Sequence, residues 1–324
     1  MSAPEPVMNL AVPPLFAALA GARSVLVAGA GGGFDVYAGL PLALALRAQG
    51  KVVHLANLSF AALEVLDLDV WLAPGVALVT ARTEGLEDYF PERALARWLR
   101  GQREPDLVYA FPRTGVRPLR EAYATLADQL GLDAVVLVDG GTDILMRGDE
   151  AGLGTPAEDM TSLAAVAGLD VPVRLVTCVG FGIDAYHGVR HTQVLENIAA
   201  LDRDGAYLGA LSIPSASREA VLYRDAVAHA QAATPLRPSI VNGQIAAASR
   251  GESGDVRFTS RTGGSTLFVN PLMTIYFSFT VDGLASRVLY LDTLEDTVGM
   301  EQVVARIGRF RAGITPRPAR PFPH

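Results

Sequence analysis

Several features that define whole protein classes are missing from this sequence. Its 324 residues include one cysteine, Cys178, which leaves no partner for an internal disulfide. A single thiol is typical of proteins in a reducing compartment, so we expect a cytoplasmic protein. The N-terminal segment has no basic region and is not read as a signal peptide. No apolar run reaches the roughly 20 residues that cross a bilayer, and we expect no membrane partner.

Basic stretches are also missing. The chain has 27 lysines and arginines against 34 aspartates and glutamates, which gives a formal charge of −7. Nucleic-acid binding requires a basic surface that neutralises phosphates, so this composition argues against a nucleic-acid partner. We expect a small-molecule substrate. A homo-oligomer stays open, because the apolar segment 273–279 is equally suited to an interior strand and to an interface.

What the sequence does contain is a regular alternation of apolar runs and amphipathic segments. Uninterrupted apolar runs are typical of strands covered on both faces, and amphipathic segments between them are typical of helices. The pattern predicts a single three-layer, Rossmann-like α/β domain over residues 1–312, with a mostly parallel sheet and helices on both faces. The proline-rich residues 313–324 are predicted to form a C-terminal arm. The predicted strands are 24–30, 51–58, 76–81, 107–111, 134–141, 173–182, 206–213, 239–248 and 265–279.

The first predicted strand runs into the glycine-rich segment "VAGAGGGFDVYAGLPLALAL". Dinucleotide-binding loops place a third glycine where this chain has Phe34, and a carboxylate after the second strand, where this chain has none. Pro41 suits a helix that starts near Leu40. We therefore interpret the segment as one wall of a ligand pocket and not as a standard dinucleotide loop. Its candidate ligand-binding residues are Gly29, Gly31, Gly32, Gly33 and Asp35.

The segment "LVDGGTDILMRGDEAGLGTPAED" places several acids at the end of an apolar strand. Buried acids must be paired, hydrated or bound to a ligand, so we take Asp139 and Asp143 as candidate catalytic residues. Two interpretations stay open: these two residues bind a divalent cation such as Mg²⁺, or they form a general acid–base pair. Glu158 and Asp159 are expected in the first turn of a helix. The candidate ligand-binding residues are Gly140, Gly141, Thr142, Asp149 and Glu150.

Two further segments carry polar residues next to apolar runs. In "CVGFGIDAYHGVRHTQVLENIAAL", His187 is a candidate for proton transfer, and Asp184 and His191 are candidate ligand contacts. Local spacing supplies no third ligand for a zinc ion. In "SIVNGQIAAASRGESGDVRFTSRTGGSTLFVNPLM", hydroxyls, glycines and a guanidinium fit either an anion-binding loop or an exposed turn. The candidates there are Asn242, Arg261, Ser265 and Asn270.

These segments together resemble the bacterial family catalogued as domain of unknown function 1152. The resemblance covers residues 20–312, and it is carried most specifically by the acidic and the histidine-containing segments. It implies a single domain with a shared site and assigns no reaction or catalytic residue.

Three functions therefore stay open. The first is a hydrolase or group transferase that acts on a small polar metabolite, preferably a nucleotide, nucleoside or sugar phosphate. In it, Asp139 and Asp143 orient the substrate or a metal, and His187 moves a proton. The second is a nicotinamide- or flavin-dependent oxidoreductase, and the third is a metabolite-binding protein without catalysis. All three require the polar loops to meet at one edge of the sheet, as ligand-binding loops do in open parallel sheets.

Overall fold

The strands in the described part of the chain form one sheet of nine. A computed structural model describes residues 11–86, 88–262 and 268–321. The strand order across the sheet is β3-β4-β5-β2-β1-β6-β7-β9-β8. The bounds are β1 Ser24–Gly29, β2 Val52–Leu58, β3 Trp71–Ala73, β4 Val76–Val79, β5 Val108–Phe111, β6 Ala134–Asp139, β7 Val173–Cys178, β8 Tyr207–Ser212 and β9 Ile275–Thr280.

The centre of the sheet is parallel and its two edges are antiparallel. Strands β5, β2, β1, β6 and β7 pair in parallel, whereas β3 and β4 on one side and β9 and β8 on the other run against their neighbours. The predicted α/β class is confirmed. The sheet as a whole is mixed, with four parallel and four antiparallel pairs among the described strands.

Helices pack on both faces of the sheet. In β1, Val25 and Val27 belong to one apolar core, whereas Leu26 and Ala28 belong to the other. None of the helices within the described ranges combines the length and the apolar character needed to cross a bilayer. Their bounds are α1 Pro14–Ala18, α2 Asp35–Ala38, α3 Leu40–Ala48, α4 Pro91–Gly101, α5 Val116–Leu130, α6 Pro156–Ala167, α7 His191–Arg203, α8 Arg218–Ala233, α9 Ile240–Ser249, α10 Val281–Ala285 and α11 Met300–Ala312.

The predicted strand at 239–248 is wrong, because this segment folds as helix α9. Ser239 caps the helix by accepting a hydrogen bond at Oγ from the backbone N–H of Asn242, at 3.1 Å. A short apolar run does not by itself distinguish a buried helix from a strand. Here the serine cap and the alanines at 246–248 favour the helix, since alanine has the highest helix propensity.

The last predicted strand is also shorter than its apolar run. Strand β9 begins at Ile275, after a single helical turn over Pro271–Thr274. Asn270 opens this turn and accepts a hydrogen bond at Oδ1 from the N–H of Leu272, at 3.0 Å. Residues 265–267 lie outside the described part. Helix α3 begins at Leu40 with Pro41 in its first turn, as expected from the sequence.

Helix α9 is held against the glycine-rich segment by the buried side chain of Asn242. Its Nδ2 donates to the carbonyl oxygen of Phe34 at 3.1 Å, and its Oδ1 accepts from the hydroxyl of Tyr223 at 2.9 Å. Both partners are buried, so neither can turn to water if the amide is removed. The amide therefore joins three segments that are far apart in the chain.

We predict that Asn242→Ala lowers the free energy of unfolding by about 1–3 kcal/mol, because it removes two buried hydrogen bonds of about 0.5–1.5 kcal/mol each. The Phe34 carbonyl still accepts from the N–H of Tyr37 at 3.0 Å, and the Tyr223 hydroxyl still faces the backbone carbonyl of residue 242 at 3.4 Å. Urea denaturation measures the change. The variant Tyr223→Phe removes the other side of one of these bonds. A double-mutant cycle with the two substitutions is expected to show coupling of about 1 kcal/mol. Strictly additive effects would contradict the contact.

Candidate functional site

A cleft of about 640 Å³ opens at the carboxyl ends of the central parallel strands. Its walls come from the loops that follow β1, β2 and β7 and from the first turn of α9. This is the edge at which open parallel sheets bind ligands. Among the residues that line it are Gly32, Gly33, Asp35, Phe60, Tyr89, His187, Arg237 and Asn242.

Asp35 lines this cleft and belongs to a larger group of buried acids. Carboxylate oxygens of Asp35, Asp139 and Asp159 all lie within 4.8 Å of one another. Asp143 and Asp184 are buried nearby and repel these charges. We call Asp35, Asp139, Asp143, Asp159 and Asp184 the carboxylate cluster. No arginine or lysine of the described residues forms an ion pair with any of its members.

Four members of the carboxylate cluster accept hydrogen bonds from the loops around them. Asp35 Oδ2 accepts from the N–H of Gly31 at 2.7 Å, and Asp139 Oδ1 accepts from that of Gly141 at 2.8 Å. Asp143 Oδ2 accepts from the N–H of Thr155 at 2.8 Å, and Asp184 Oδ2 accepts from that of Thr142 at 2.6 Å. Asp159 differs, because its buried Oδ1 has no hydrogen-bond partner in the described part of the chain.

Burial makes all five carboxyl groups weaker acids than usual. Burial raises the pKa of Asp35 from 3.8 to about 7. Burial, and then repulsion by neighbouring carboxylates, holds the pKa of Asp139, Asp159 and Asp184 well above the usual value. The pKa of Asp143 is also raised by burial, although donors from Thr155 oppose the shift. Such a group of acids retains protons unless a positive charge takes their place.

The glycines around the cluster make room for its carboxylates. A Cβ atom at Gly31 would lie 2.7 Å from oxygens of both Asp35 and Asp159. A Cβ atom at Gly140 would come within 2.9 Å of Asp35 Oδ1, and one at Gly141 within 2.5 Å of Asp184 Oδ2. These approaches are too close for any side chain. Since the Gly31 amide donates to Asp35, an internal carboxylate takes the amide that could otherwise hold a phosphate.

A second pair of buried polar side chains supports the glycine segment from the opposite side. Asn57, at the end of β2, donates from Nδ2 to the carbonyl of Gly33 at 2.8 Å and to Glu92 Oε1 at 2.6 Å. Its Oδ1 accepts from the N–H of Val36 at 3.3 Å. Burial raises the pKa of Glu92 from 4.5 to about 7. A Cβ atom at Gly29 would lie only 2.3 Å from Asn57 Oδ1. The absence of a side chain at Gly29 therefore leaves room for the Asn57 amide beside β1.

Aromatic rings and positive charge lie around the rest of the cleft. The Arg237 guanidinium lies 5.9 Å from the ring centroid of Tyr89, within the range of a cation–π contact. Arg237 directly precedes Pro238 and the Ser239 cap of α9, so it stands beside the positive end of that helix dipole. His187 lines the same cleft and favours the ionised form of Asp143 electrostatically. The cleft therefore combines an acidic region with a positive and aromatic one.

Asp149 and Glu150, by contrast, are engaged away from the cleft. Glu150 is completely buried, and its Oε1 accepts from Asn197 Nδ2 at 2.7 Å. Arg317 of the C-terminal segment lies against both acids, with Nη2 3.3 Å from Glu150 Oε1 and Nε 3.4 Å from Asp149 Oδ1. The Arg317 amide donates to the carbonyl of Asp149 at 2.6 Å. These contacts fix the C-terminal segment to the loop between β6 and α6.

Other candidates also lie outside the cleft or outside the described residues. His191 and Asn270 line a separate, shallower depression of about 350 Å³, where His191 stacks near Phe181 with ring centroids 5.3 Å apart. Ser265 and the side chain of Arg261 lie outside the described residues. Of the predicted residues, the glycine segment with Asp35, the loop Asp139–Asp143, Asp184, His187 and Asn242 come together around the cleft and its carboxylate cluster.

Sequence reasoning missed four residues of this site. Asp159 does lie in the first turn of α6, as expected, but it is buried in the carboxylate cluster. Phe60, Tyr89 and Arg237 line the cleft from loops without any polar pattern of their own. Only Asp159 had a usable signal in the sequence. Thr155 and Pro156 mark the start of the helix that carries it, and the loop before this helix leaves β6, which pairs with β1. This connection brings the first turn of the helix close to the loop that follows β1.

Comparison with known proteins adds a family but no activity. A family model described as protein of unknown function (DUF1152) matches residues 70–315. The chain belongs to the DUF1152 family. This match confirms the resemblance that the sequence motifs carry. No curated protein and no solved structure matches the chain.

The raised pKa of Glu92 predicts a pH-dependent loss of stability. Glu92 binds a proton more tightly in the folded state than in the unfolded state, so stability falls as the pH rises from about 4.5 to about 7. Glu92→Gln stays neutral and keeps the oxygen that accepts from Asn57. Relative to wild type, we expect the variant to gain about 3 kcal/mol between about pH 4 and pH 8, at about 1.4 kcal/mol per pKa unit.

Urea denaturation at several pH values tests this expectation. Glu121→Gln makes the same change at an exposed position of α5 and serves as the control. Equal pH dependence in wild type and in Glu92→Gln would contradict the prediction.

Proposed function

We propose that this protein is an enzyme, a hydrolase or group transferase, whose substrate is a small polar metabolite that carries a phosphate. Nucleotides and sugar phosphates are the preferred classes. The observation that carries the proposal is the composition of the cleft: one wall is acidic at Asp35, and another is positive and aromatic at Arg237 and Tyr89. A substrate with a hydroxyl-rich part and an anionic part matches both walls.

The size and position of the cleft support a small molecule. A volume of about 640 Å³ falls within the range of about 300–1,000 Å³ that is usual for metabolite pockets. Numbered in chain order, the five parallel strands β5-β2-β1-β6-β7 follow the order 3-2-1-4-5, which matches the Rossmann order 3-2-1-4-5-6 without its last strand. We therefore propose a single Rossmann-like domain with its ligand at the usual edge. The single thiol, Cys178, is buried and fits the proposed cytoplasmic location.

Each part of the substrate has a complementary group. Arg237 and the start of α9 suit the phosphate, because a guanidinium and a helix N-terminus both favour an anion. The rings of Phe60 and Tyr89 offer a face for a base or a sugar. Asp35 can accept hydrogen bonds from hydroxyl groups.

His187 is the proposed proton-transfer group. It lies in the cleft wall and is exposed to solvent, so it can reach a bound substrate. Imidazole is the side chain best suited to move a proton near neutral pH. The charge of His187 lowers the pKa of the buried Asp143, which places the two groups within electrostatic reach of each other. This arrangement supports acid or base catalysis on a group held between Asp35 and Arg237.

The oxidoreductase alternative has less support. A dinucleotide loop binds pyrophosphate with free backbone amides, and here the Gly31 amide donates to Asp35. The carboxylate would also repel a phosphate at that point. The non-catalytic alternative uses the same cleft and is distinguished only by turnover.

Ligand binding tests the anionic end of the substrate. Nucleoside phosphates and sugar phosphates are compared in thermal-shift assays with the same compounds lacking phosphate. A ligand at a hundredfold excess over its Kd stabilises the fold by about 2.7 kcal/mol. We expect Arg237→Gln to weaken binding of the phosphorylated compounds about tenfold, because it removes a charge-assisted hydrogen bond. Binding of the compounds without phosphate is expected to change little.

Arg203→Gln, at an exposed position of α7, is the matched control for lost positive charge. An unchanged affinity for phosphorylated compounds in Arg237→Gln, or no binding of any compound by wild type, would overturn the substrate assignment.

Turnover of whichever compound binds tests the enzyme assignment. We expect His187→Gln to bind that compound normally and to turn it over about 10²–10⁴ times more slowly, which is the usual contribution of general acid–base catalysis. Product formation by chromatography and binding by calorimetry separate the two effects. Binding without turnover in wild type would favour the metabolite-binding alternative.

A further inference from the structure

We propose that Asp35, Asp139 and Asp159 form a binding site for one divalent cation of the Mg²⁺, Mn²⁺ or Ca²⁺ class. Binding of the cation does not depend on the proposed function. Only a role for the cation in catalysis rests on that function. It differs from the sequence-based interpretation, which assigned a cation to Asp139 and Asp143. The three residues come from different segments: the loop after β1, the end of β6 and the first turn of α6.

The spacing of the three carboxylates fits a single ion. Their oxygens all lie within 4.8 Å of one another. Oxygens on opposite sides of one ion are separated by twice the metal–oxygen distance, which is about 4.1 Å for Mg²⁺ and about 4.8 Å for Ca²⁺. Ligands of one ion that are not opposite are closer than that. An upper limit of 4.8 Å is therefore compatible with one coordination shell, directly for Ca²⁺ and after a small inward movement of the side chains for Mg²⁺.

Asp159 gives the independent evidence that something positive belongs here. The residue is 2% exposed, and its Oδ1 has no hydrogen-bond partner among the described residues. The same oxygen points at Gly31 and lies on the side of Asp35, since a Cβ at Gly31 would meet both carboxylates at 2.7 Å. A buried carboxylate oxygen without a donor is costly, and a metal ion would satisfy it.

Asp143 is not one of the three proposed ligands, although the sequence analysis offered it as a cation ligand. Its Oδ2 accepts from the N–H of Thr155 at 2.8 Å and from the Thr155 hydroxyl at 3.2 Å. Gly154 packs directly against this carboxylate, since a Cβ there would lie 2.2 Å from Oδ2. Asp143 is therefore engaged in fixing the loop that leads into α6. This loop sets the position of Asp159.

The ligand chemistry narrows the choice of ion. All three side chains offer oxygen, which suits Mg²⁺, Mn²⁺ and Ca²⁺, whereas zinc sites in proteins are mostly built with histidine and cysteine. Three protein ligands leave positions of a hard cation for water or substrate. Asp35 also lines the cleft, so the ion would be reached from the substrate side.

Binding of Mn²⁺ to the purified protein, measured by electron paramagnetic resonance without any substrate, tests the site. We expect one Mn²⁺ per chain in wild type, displaced by Mg²⁺ or Ca²⁺, and a rise in Tm on adding these ions. Asp159→Asn keeps the size of the side chain but removes its charge. It is expected to weaken Mn²⁺ binding at least tenfold and to abolish the rise in Tm.

Gly31→Ala provides a second variant, which keeps all three carboxylates and disturbs only their spacing. It is expected to lose Mn²⁺ binding as well. Asp128→Asn removes an exposed acid of α5 and should bind Mn²⁺ like wild type. Circular dichroism confirms that each variant is folded.

The outcomes separate this inference from the proposed function. Absence of Mn²⁺ binding to wild type, or unchanged binding to a folded Asp159→Asn, would overturn the cation site even if phosphorylated metabolites bind. Mn²⁺ binding that depends on Asp159, together with no binding of any phosphorylated metabolite, would support the cation site and count against the proposed substrate.

Discussion

The candidate site depends on one unfavourable condition, the burial of five carboxyl groups beside one another. Each carboxylate of the cluster loses solvation, and each is repelled by the others. The surrounding loops offset part of this cost with backbone N–H donors to four of the five. Asp159 receives none in the described part of the chain, so the polypeptide leaves the arrangement incomplete. An incomplete buried site of this kind is typical of a place that a ligand occupies.

The glycine-rich segment after β1 illustrates how one sequence pattern serves different physical ends. In dinucleotide-binding proteins, such glycines let the backbone approach a pyrophosphate. Here Gly31 donates its amide to Asp35 and leaves room for Asp159. The glycines again let another group approach the backbone closely, but this group is a carboxylate of the protein itself and not a bound pyrophosphate. The electrostatic sign of the site is thereby reversed.

Positions of the cleft residues depend on buried amides as much as on the apolar cores. Asn57 fixes the glycine segment from the side of β2 and α4, and Asn242 fixes it from the side of α9. Both amides donate to buried backbone carbonyls of the segment, that of Gly33 for Asn57 and that of Phe34 for Asn242. At the other end of the acidic loop, Arg317 binds Asp149 and Glu150 and holds the C-terminal segment in place. The glycine-rich wall of the cleft is therefore fixed from two sides by Asn57 and Asn242, which suits a preorganised site.

The sequence by itself determined the α/β class and the positions of most strands, because apolar runs and amphipathic segments reflect which residues are buried locally. Its motifs also determined the family. The sequence also predicted that Asp35, Asp139 and His187 lie at the carboxyl ends of apolar strands, which the parallel centre of the sheet brings to one edge. It could not distinguish helix α9 from a strand, since both bury an apolar run of the same length. Only the tertiary structure decided which acids meet. Asp159 joins Asp35 and Asp139, whereas Asp143 turns to Thr155 and Glu150 to Asn197, because these choices depend on contacts between segments that are distant in the chain.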